Sequence, residues 1–371
     1  MIINVLDLTF YLLLFIHLVV LTICIYNLFT APMLKQDKHT ANEELKISVL
    51  IPARNEEKNI KDCLDSIFNS TYKNFEVIVL DDNSIDSTFS IIENYKSINN
   101  NLKIIKGILL PEGWFGKNWA CHQLSENCTN EIMLFVDADV RLERNALGNA
   151  VDVFMKFKAD LLSVFPTQKI KSAGEWLLIP LMDWLLYTFL PLKKVYTSNS
   201  KSFSAANGQF LMIKKDNYKK FGGHEKLKNK VVEDVEFVRS FKKMNFKTIT
   251  LSGNKLVYCR MYRNLKEVLN GFSKNFYPGF NIDAIAFMFL LSAIFASFFL
   301  PIIFVFIESR FLLVIGIILI QRLITSSVAK QNLLMNLFLF FPHMLMIMIA
   351  GIKSFLDNKY KRVVWKDRKI I

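Results

Sequence analysis

Hydrophobic and polar positions divide the chain into blocks of different period. Residues 5–29 are almost wholly apolar, a run that at 1.5 Å per helical residue exceeds the roughly 30 Å thickness of a bilayer's hydrocarbon core. It lacks the basic start and small-residue cleavage site of a secretion signal, so it reads as an uncleaved anchor. Runs 284–307 and 333–352 are again long enough to span, whereas 311–329 is interrupted by Gln321 and Arg322. Between about residues 45 and 260 the pattern changes. Short β-rich runs at 47–51, 75–80, 102–106, 132–136 and 161–165 alternate with helical stretches, which predicts an α/β domain with a mostly parallel sheet. Inside it, residues 176–192 are apolar but broken by Pro180, Asp183 and Pro191 and edged by Trp176, Trp184 and Tyr187. That suits a helix in the membrane interface, with an internal core segment as the alternative.

Charge orients these blocks. No Lys or Arg precedes the first apolar run, and Lys35 and Lys38 follow it, so the N-terminus is expected outside and the α/β domain in the cytoplasm. Three C-terminal crossings would put the tail outside. Yet the tail carries Lys353, Lys359, Lys361, Arg362, Lys366, Arg368 and Lys369, which favours the inside. One of the three segments is therefore expected not to cross, and 311–329 is the weakest. The division that follows is an anchor (1–32), a cytoplasmic domain (45–263), an amphipathic interface helix (264–283), C-terminal membrane helices (284–352) and a basic cytoplasmic tail (353–371).

Composition agrees, since 52% of the 371 residues are hydrophobic, more apolar surface than a soluble protein of this size carries. The net charge of +13 suits nucleic acid, an anionic membrane or an anionic cofactor. Its clearest cluster lies beside the C-terminal apolar block, which favours the membrane and argues against nucleic acid. Five scattered cysteines without a C-x-x-C pair argue against a disulfide framework or a zinc site.

In parallel sheets ligands bind beyond the carboxyl ends of the strands, so polar residues directly after strands carry the candidate chemistry. Pro52-Ala53-Arg54-Asn55-Glu56-Glu57 closes the first run and opens a helix with apolar positions Ile60, Leu64 and Ile67. Asp81-Asp82-Asn83-Ser84-Ile85-Asp86-Ser87-Thr88 closes the second, where carboxylates can accept from ribose hydroxyls or a base N–H. Asp137-Ala138-Asp139 closes the fourth; alternate carboxylates at a strand end share a side and suit a divalent cation with a diphosphate. Each motif alone is equally compatible with a capped turn or surface charge.

The ordered set PARNEE, DDNSIDST, DAD, AANG and ED resembles the inverting family 2 glycosyltransferases of the GT-A fold. Within them, GWFGKNWAC (residues 113–121), GGH (222–224), RMYR (260–263) and VVWKDR (363–368) resemble the carotenoid- and hopanoid-associated group that includes the staphyloxanthin-pathway enzyme. The resemblance implies a Rossmann-like sheet, with Pro52, Ala53 and Glu56 lining the nucleoside pocket and Asp82 holding uracil or ribose. Lys117 would lie near the diphosphate, Asp137 on the ribose or sugar side, and Asp139 on Mg²⁺ or Mn²⁺. Asn207, Gly208 and Glu233 would form the acceptor side, with Asp234 as general base. The Q-x-x-R-W segment of processive polysaccharide synthases is missing, which favours transfer of one sugar. The expectation is a cell-membrane enzyme moving a sugar from a UDP-sugar to a lipid-like acceptor such as a carotenoid acid or hopanoid. Rival readings are a polyprenyl-phosphate sugar transferase, a nucleotidyltransferase and a non-enzymatic membrane scaffold; the absence of a Gly-rich loop after the first strand argues against nucleotidyl transfer.

Overall fold

The computed structural model describes residues 5–36, 45–365 and 368–369; Lys38 and Lys366, used above for orientation, lie outside them. In chain order the strands are β1 (Ile47–Ala53), β2 (Phe75–Asp81), β3 (Leu102–Lys106), β4 (Ile132–Val136), β5 (Val140–Leu142), β6 (Leu161–Phe165), β7 (Thr167–Gln168), β8 (Phe210–Lys214), β9 (Thr248–Ser252), β10 (Val257–Cys259), β11 (Val364–Trp365) and β12 (Arg368–Lys369). The helices are α1 (Val5–Thr30), α2 (Ile60–Phe68), α3 (Thr88–Lys96), α4 (Gly116–Asn127), α5 (Ala146–Lys156), α6 (Ala173–Phe189), α7 (Lys194–Thr197), α8 (Lys215–Phe221), α9 (Glu233–Lys243), α10 (Leu265–Phe280), α11 (Ala284–Phe304), α12 (Phe311–Val328), α13 (Leu333–Phe338) and α14 (Phe340–Lys359).

Seven strands form one sheet in the order β3-β2-β1-β4-β8-β6-β9, parallel throughout except for β8, which runs against both neighbours. Its middle strands are buried on both faces, and so read as unbroken apolar runs. The expected strands are all present, and β1 and β2 extend one or two residues further, into the polar motifs themselves. The sequence pattern missed β9, whose Thr and Ser mask a buried strand. There the Thr250 hydroxyl donates to Ala205 O (2.6 Å), so the polar atom is satisfied inside. A small sheet, β5-β10-β7, flanks the carboxyl end of β4.

Among the described residues four helices, α1, α11, α12 and α14, are long and apolar enough to cross a membrane. Helices α1 and α12 run side by side in the same direction: Phe10 packs on Phe311 (5.4 Å), and Gln321 Nε2 donates to His17 O (2.6 Å). Helix α11 runs opposite, with His17 Nε2 on Ser297 O (2.9 Å) and Phe304 against Phe311. These three cover a common length, and Arg310 pairs with Asp7 (2.6 Å) at its far end. Helix α14 differs. Phe340 and Phe341 lie against Phe298 and Phe299, about 21 Å along α11 from its start, and the helix returns from there past Leu291 to Tyr277, on which Phe355 and Phe287 both pack. Gln321 and Arg322, which interrupt the apolar run of α12, are buried within the bundle.

Helix α6 begins at Ala173, earlier than the apolar run, because Ser172 and Glu175 form a reciprocal capping box. It packs against α1, α10, α12 and α14, the surroundings of an internal segment. Proline inside it removes the N–H that would bond Trp176 O. His343 Nε2 donates to that carbonyl instead (2.7 Å), while Nδ1 accepts from Arg322 Nη2 (3.0 Å). His17 does the same for Ser297 O, four residues before Pro301. Buried Asn27 of α1 binds Tyr187 O, Leu190 O and Leu192 N–H (2.8, 2.8 and 2.9 Å), satisfying the end of α6. Helix α10 packs on α14 and α6 rather than lying apart, with Ser354 Oγ inserted between Tyr277 N–H (2.9 Å) and Ser273 O (2.7 Å).

Candidate active site

The loops after β1 and β2 are laced together. Asn55 N–H donates to Ser84 Oγ (3.0 Å), Ile85 N–H to Asn55 Oδ1 (3.0 Å), Glu56 N–H to Thr88 Oγ1 (2.7 Å) and Glu57 N–H to Asp86 Oδ2 (3.2 Å). Asn55 sits at φ 53°, a left-handed conformation that asparagine tolerates better than most residues. Arg54 Nη1 holds the Asp82 and Asn83 carbonyls (2.7 and 3.1 Å). Several polar residues of the two motifs therefore bind one another, and this lacing presents Glu56 and Asp82 to a common space.

That space is a cavity of about 460 Å³, lined by Pro52, Ala53, Glu56, Asp82, Lys117 and Asp137, and also by Asp139, Asn207, Gly208, Glu233 and Asp234. All eleven residues singled out from sequence meet there, although they span 183 positions of the chain. Asp137 and Asp139 follow β4. Asn207 and Gly208 precede its antiparallel neighbour β8, and Glu233 and Asp234 open α9.

Lys117 Nζ lies 2.8 Å from Asp137 Oδ2 and 3.7 Å from Glu233 Oε1. Burial alone would lower its pKa, but these two carboxylates override that and raise it, so the ammonium is firmly charged. Asp234 accepts from the Gly208 N–H (Oδ2, 2.8 Å) and the Val235 N–H (Oδ1, 2.8 Å). Burial, then the Glu233 charge, push its carboxyl up to about 7. Asp139 is pushed up to about 7 as well, by burial and by the charges of Asp137 and Glu56. Gln209 Nε2 reaches Asp139 Oδ1 (3.4 Å) and Cys259 Sγ (2.7 Å). Among the described residues no three His, Cys, Asp or Glu side chains form a ready cage. A magnesium-type ion bound with a diphosphate needs only one or two protein carboxylates, and a cation beside Asp139 would relieve the crowding that suppresses its ionisation, so the residues present fit one.

The cavity continues from this polar floor to a wall of Ile179, Met182 and Leu185 from α6 and Phe272, Phe276 and Phe280 from α10. Lys274 of α10 also lines it, and burial lowers its pKa. An amphipathic helix has one covered side, whereas α10 is covered on two, by α14 and by α6. Arg260 of RMYR is bound to Glu175 (2.9 and 3.4 Å), whereas Met261 and Tyr262 face the cavity. Arg368 is a further lining residue that motif reading left without a role.

Residues 48–221 match the family model for glycosyl transferase family 2. The chain carries a family 2 glycosyltransferase domain. It is 28% identical over 252 residues to the 4,4'-diaponeurosporenoate glycosyltransferase of Staphylococcus haemolyticus, covering 67% of this chain and 65% of that protein. To the enzyme of the same name from Staphylococcus aureus it is 27% identical over 239 residues, covering 63% and 61%. The matches thus span a little under two thirds of those relatives. A mannosyltransferase from Pyrobaculum calidifontis, solved in complex with GDP-Man and Mn²⁺, superposes with a TM-score of 0.55 at 16% identity over 95% of this chain and 98% of its own. The family 2 domain has the GT-A type of fold, a mostly parallel sheet flanked by helices, joined here to the apolar helices.

Proposed function

We propose that this protein is a membrane-bound, inverting glycosyltransferase that moves one sugar from a UDP-sugar to a lipid-like acceptor, a carotenoid acid or hopanoid. The observation that carries this reading is the continuity of the cavity, from a floor of carboxylates and Lys117 to a wall of apolar side chains from α6 and α10. A nucleoside diphosphate matches the first half in polarity, and an apolar acceptor matches the second.

In this reading Pro52, Ala53 and Glu56 border the nucleoside, Asp82 takes the ribose or base, and Asp137 faces the ribose or sugar. Lys117 offsets diphosphate charge. Asp139 would hold Mg²⁺ or Mn²⁺, which when bound supplies charge neutralisation at the departing diphosphate. Asp234 removes the proton of an acceptor hydroxyl as that oxygen attacks the anomeric carbon opposite the leaving group, and its value of about 7 suits a base working near neutrality. Toward an acceptor that is already a carboxylate it would orient rather than deprotonate. Glu233, Asn207 and Gly208 shape the acceptor side, where glycine lets the backbone approach closely.

The domain lies on the cytoplasmic face of the cell membrane in this proposal. Only α11 and α12 cross between domain and tail, which returns the tail to the domain's side. Its Arg368 contact with Asp82 supports that parity.

Membranes from expressing cells, given radiolabelled UDP-sugars with Mg²⁺ or Mn²⁺ and either a carotenoid acid, a hopanoid or polyprenyl phosphate, provide the test. Labelled carotenoid or hopanoid is expected. Label on polyprenyl phosphate alone would reject the acceptor, and no transfer from any UDP-sugar would reject the donor.

A further inference from the structure

Two of the secondary sequence motifs, GWFGKNWAC and VVWKDR, meet at Asp82. Strand β11 pairs antiparallel with β12 and brings Arg368 back to the cavity. There its guanidinium grips both oxygens of Asp82, Nη1 to Oδ2 at 2.5 Å and Nη2 to Oδ1 at 3.1 Å. Gly116, from the GWFGK segment, lies directly against it, and a Cβ at that position would stand 2.6 Å from Arg368 Nη1. Glycine here makes room for the tail's arginine.

The pair presents a conflict that ligand binding must resolve. Both oxygens that would receive the nucleoside are occupied by a residue 286 positions away. Seven carboxyl groups line the cavity beside five cationic side chains, so an entering diphosphate meets acidic neighbours as well as basic ones. Lys117 is committed to Asp137 and Glu233, and Arg54 to the carbonyls of Asp82 and Asn83. A guanidinium displaced from Asp82 stays beside the incoming anion, and its fork matches phosphate oxygens as well as carboxylate.

We propose that Arg368 is an exchange ligand of the donor: it neutralises Asp82 in the empty site, yields Asp82 to the nucleoside on binding, and pairs with the diphosphate. The C-terminal tail thereby becomes part of the donor site. This rests on the nucleoside-diphosphate reading above.

Calorimetry on the full-length protein in detergent, with uridine, UDP, guanosine and GDP as probes, separates the possibilities. Arg368→Ala should weaken UDP about tenfold or more, the worth of a charge-assisted contact, yet tighten uridine, because Asp82 is vacated. Arg368→Lys should fall between wild type and Arg368→Ala for UDP, since the charge remains while the paired fork is lost. Unchanged thermal melting of both variants would show that they fold. Parallel weakening of nucleoside and nucleotide would overturn the proposal by making the pair merely structural, and tighter UDP would overturn it by making the tail a plug. Wild-type protein that binds GDP and not UDP should show the same opposite signs with guanosine and GDP. Wild-type protein that binds neither nucleotide would overturn the donor reading and this inference with it, an outcome distinct from a normal wild type with an unaltered variant.

Discussion

Asp234→Asn isolates the electrostatics of the site. The carboxyl titrates at about 7 where an ordinary aspartate has 3.8, a difference that corresponds to about 4 kcal/mol of folded-state free energy once the group is ionised. The folded value lies above the unfolded one, so the sign is opposite to that of a salt-bridged aspartate. Below about pH 4 both states are protonated and the cost is absent; between about 4 and 7 the unfolded chain ionises first, and the wild type loses stability as pH rises. Asparagine removes that loss. It also gives up a hydrogen bond, because Gly208 N–H and Val235 N–H are accepted by different oxygens and an amide keeps only one acceptor, at about 1–2 kcal/mol. The net expectation is a variant less stable than wild type by up to about 1 kcal/mol at pH 4.5, where about 1 kcal/mol of the ionisation cost has already appeared, and more stable by about 2–3 kcal/mol at pH 8. Thermal unfolding in detergent across that range would read it as a crossing of several degrees. Transfer to a hydroxyl acceptor should fall about a hundredfold or more. A pH-independent offset between the two proteins would refute the electrostatic account, and undiminished transfer would refute the role as base.

Chelation by EDTA should abolish transfer and Mg²⁺ or Mn²⁺ restore it, with Asp139→Asn unrescued; full activity in EDTA would remove the cation from the scheme. Gly271→Ala should lower stability by about 1–3 kcal/mol, because a Cβ there runs into the Tyr262 ring, outweighing the roughly 1 kcal/mol that alanine gains in helix propensity. A higher melting temperature would contradict that packing. His343→Phe should cost about 1–3 kcal/mol by leaving Trp176 O unpaired. Because Pro180→Ala restores a backbone N–H to that carbonyl, the cost should shrink in the double variant, and an additive cycle would show that the histidine does something else.

The strands of the family 2 domain were legible because burial on both faces leaves an apolar run bounded by polar residues, and the motif residues follow those ends by topology. Residues 81–88 read as chemistry and turn in equal measure. Only the interlacing with Asn55, Glu56 and Glu57 shows that Asp86 and Thr88 serve the loop while Asp82 faces the cavity. The burial of Gln321 and Arg322 was hidden for a related reason. A hydropathy sum cannot distinguish Gln321 and Arg322 facing lipid from the same side chains bound inside a bundle.

By itself, the order of apolar runs and the residues that end them determined an α/β domain between apolar helices, and which carboxylates follow which strands, since both depend on local period and position. Partnership was decided by tertiary structure alone. Whether His343 repairs a helix, whether Lys274 faces a cavity and whether Arg368 reaches Asp82 depend on contacts between residues far apart in the chain, and side-chain periodicity along one element carries no information about what packs on it.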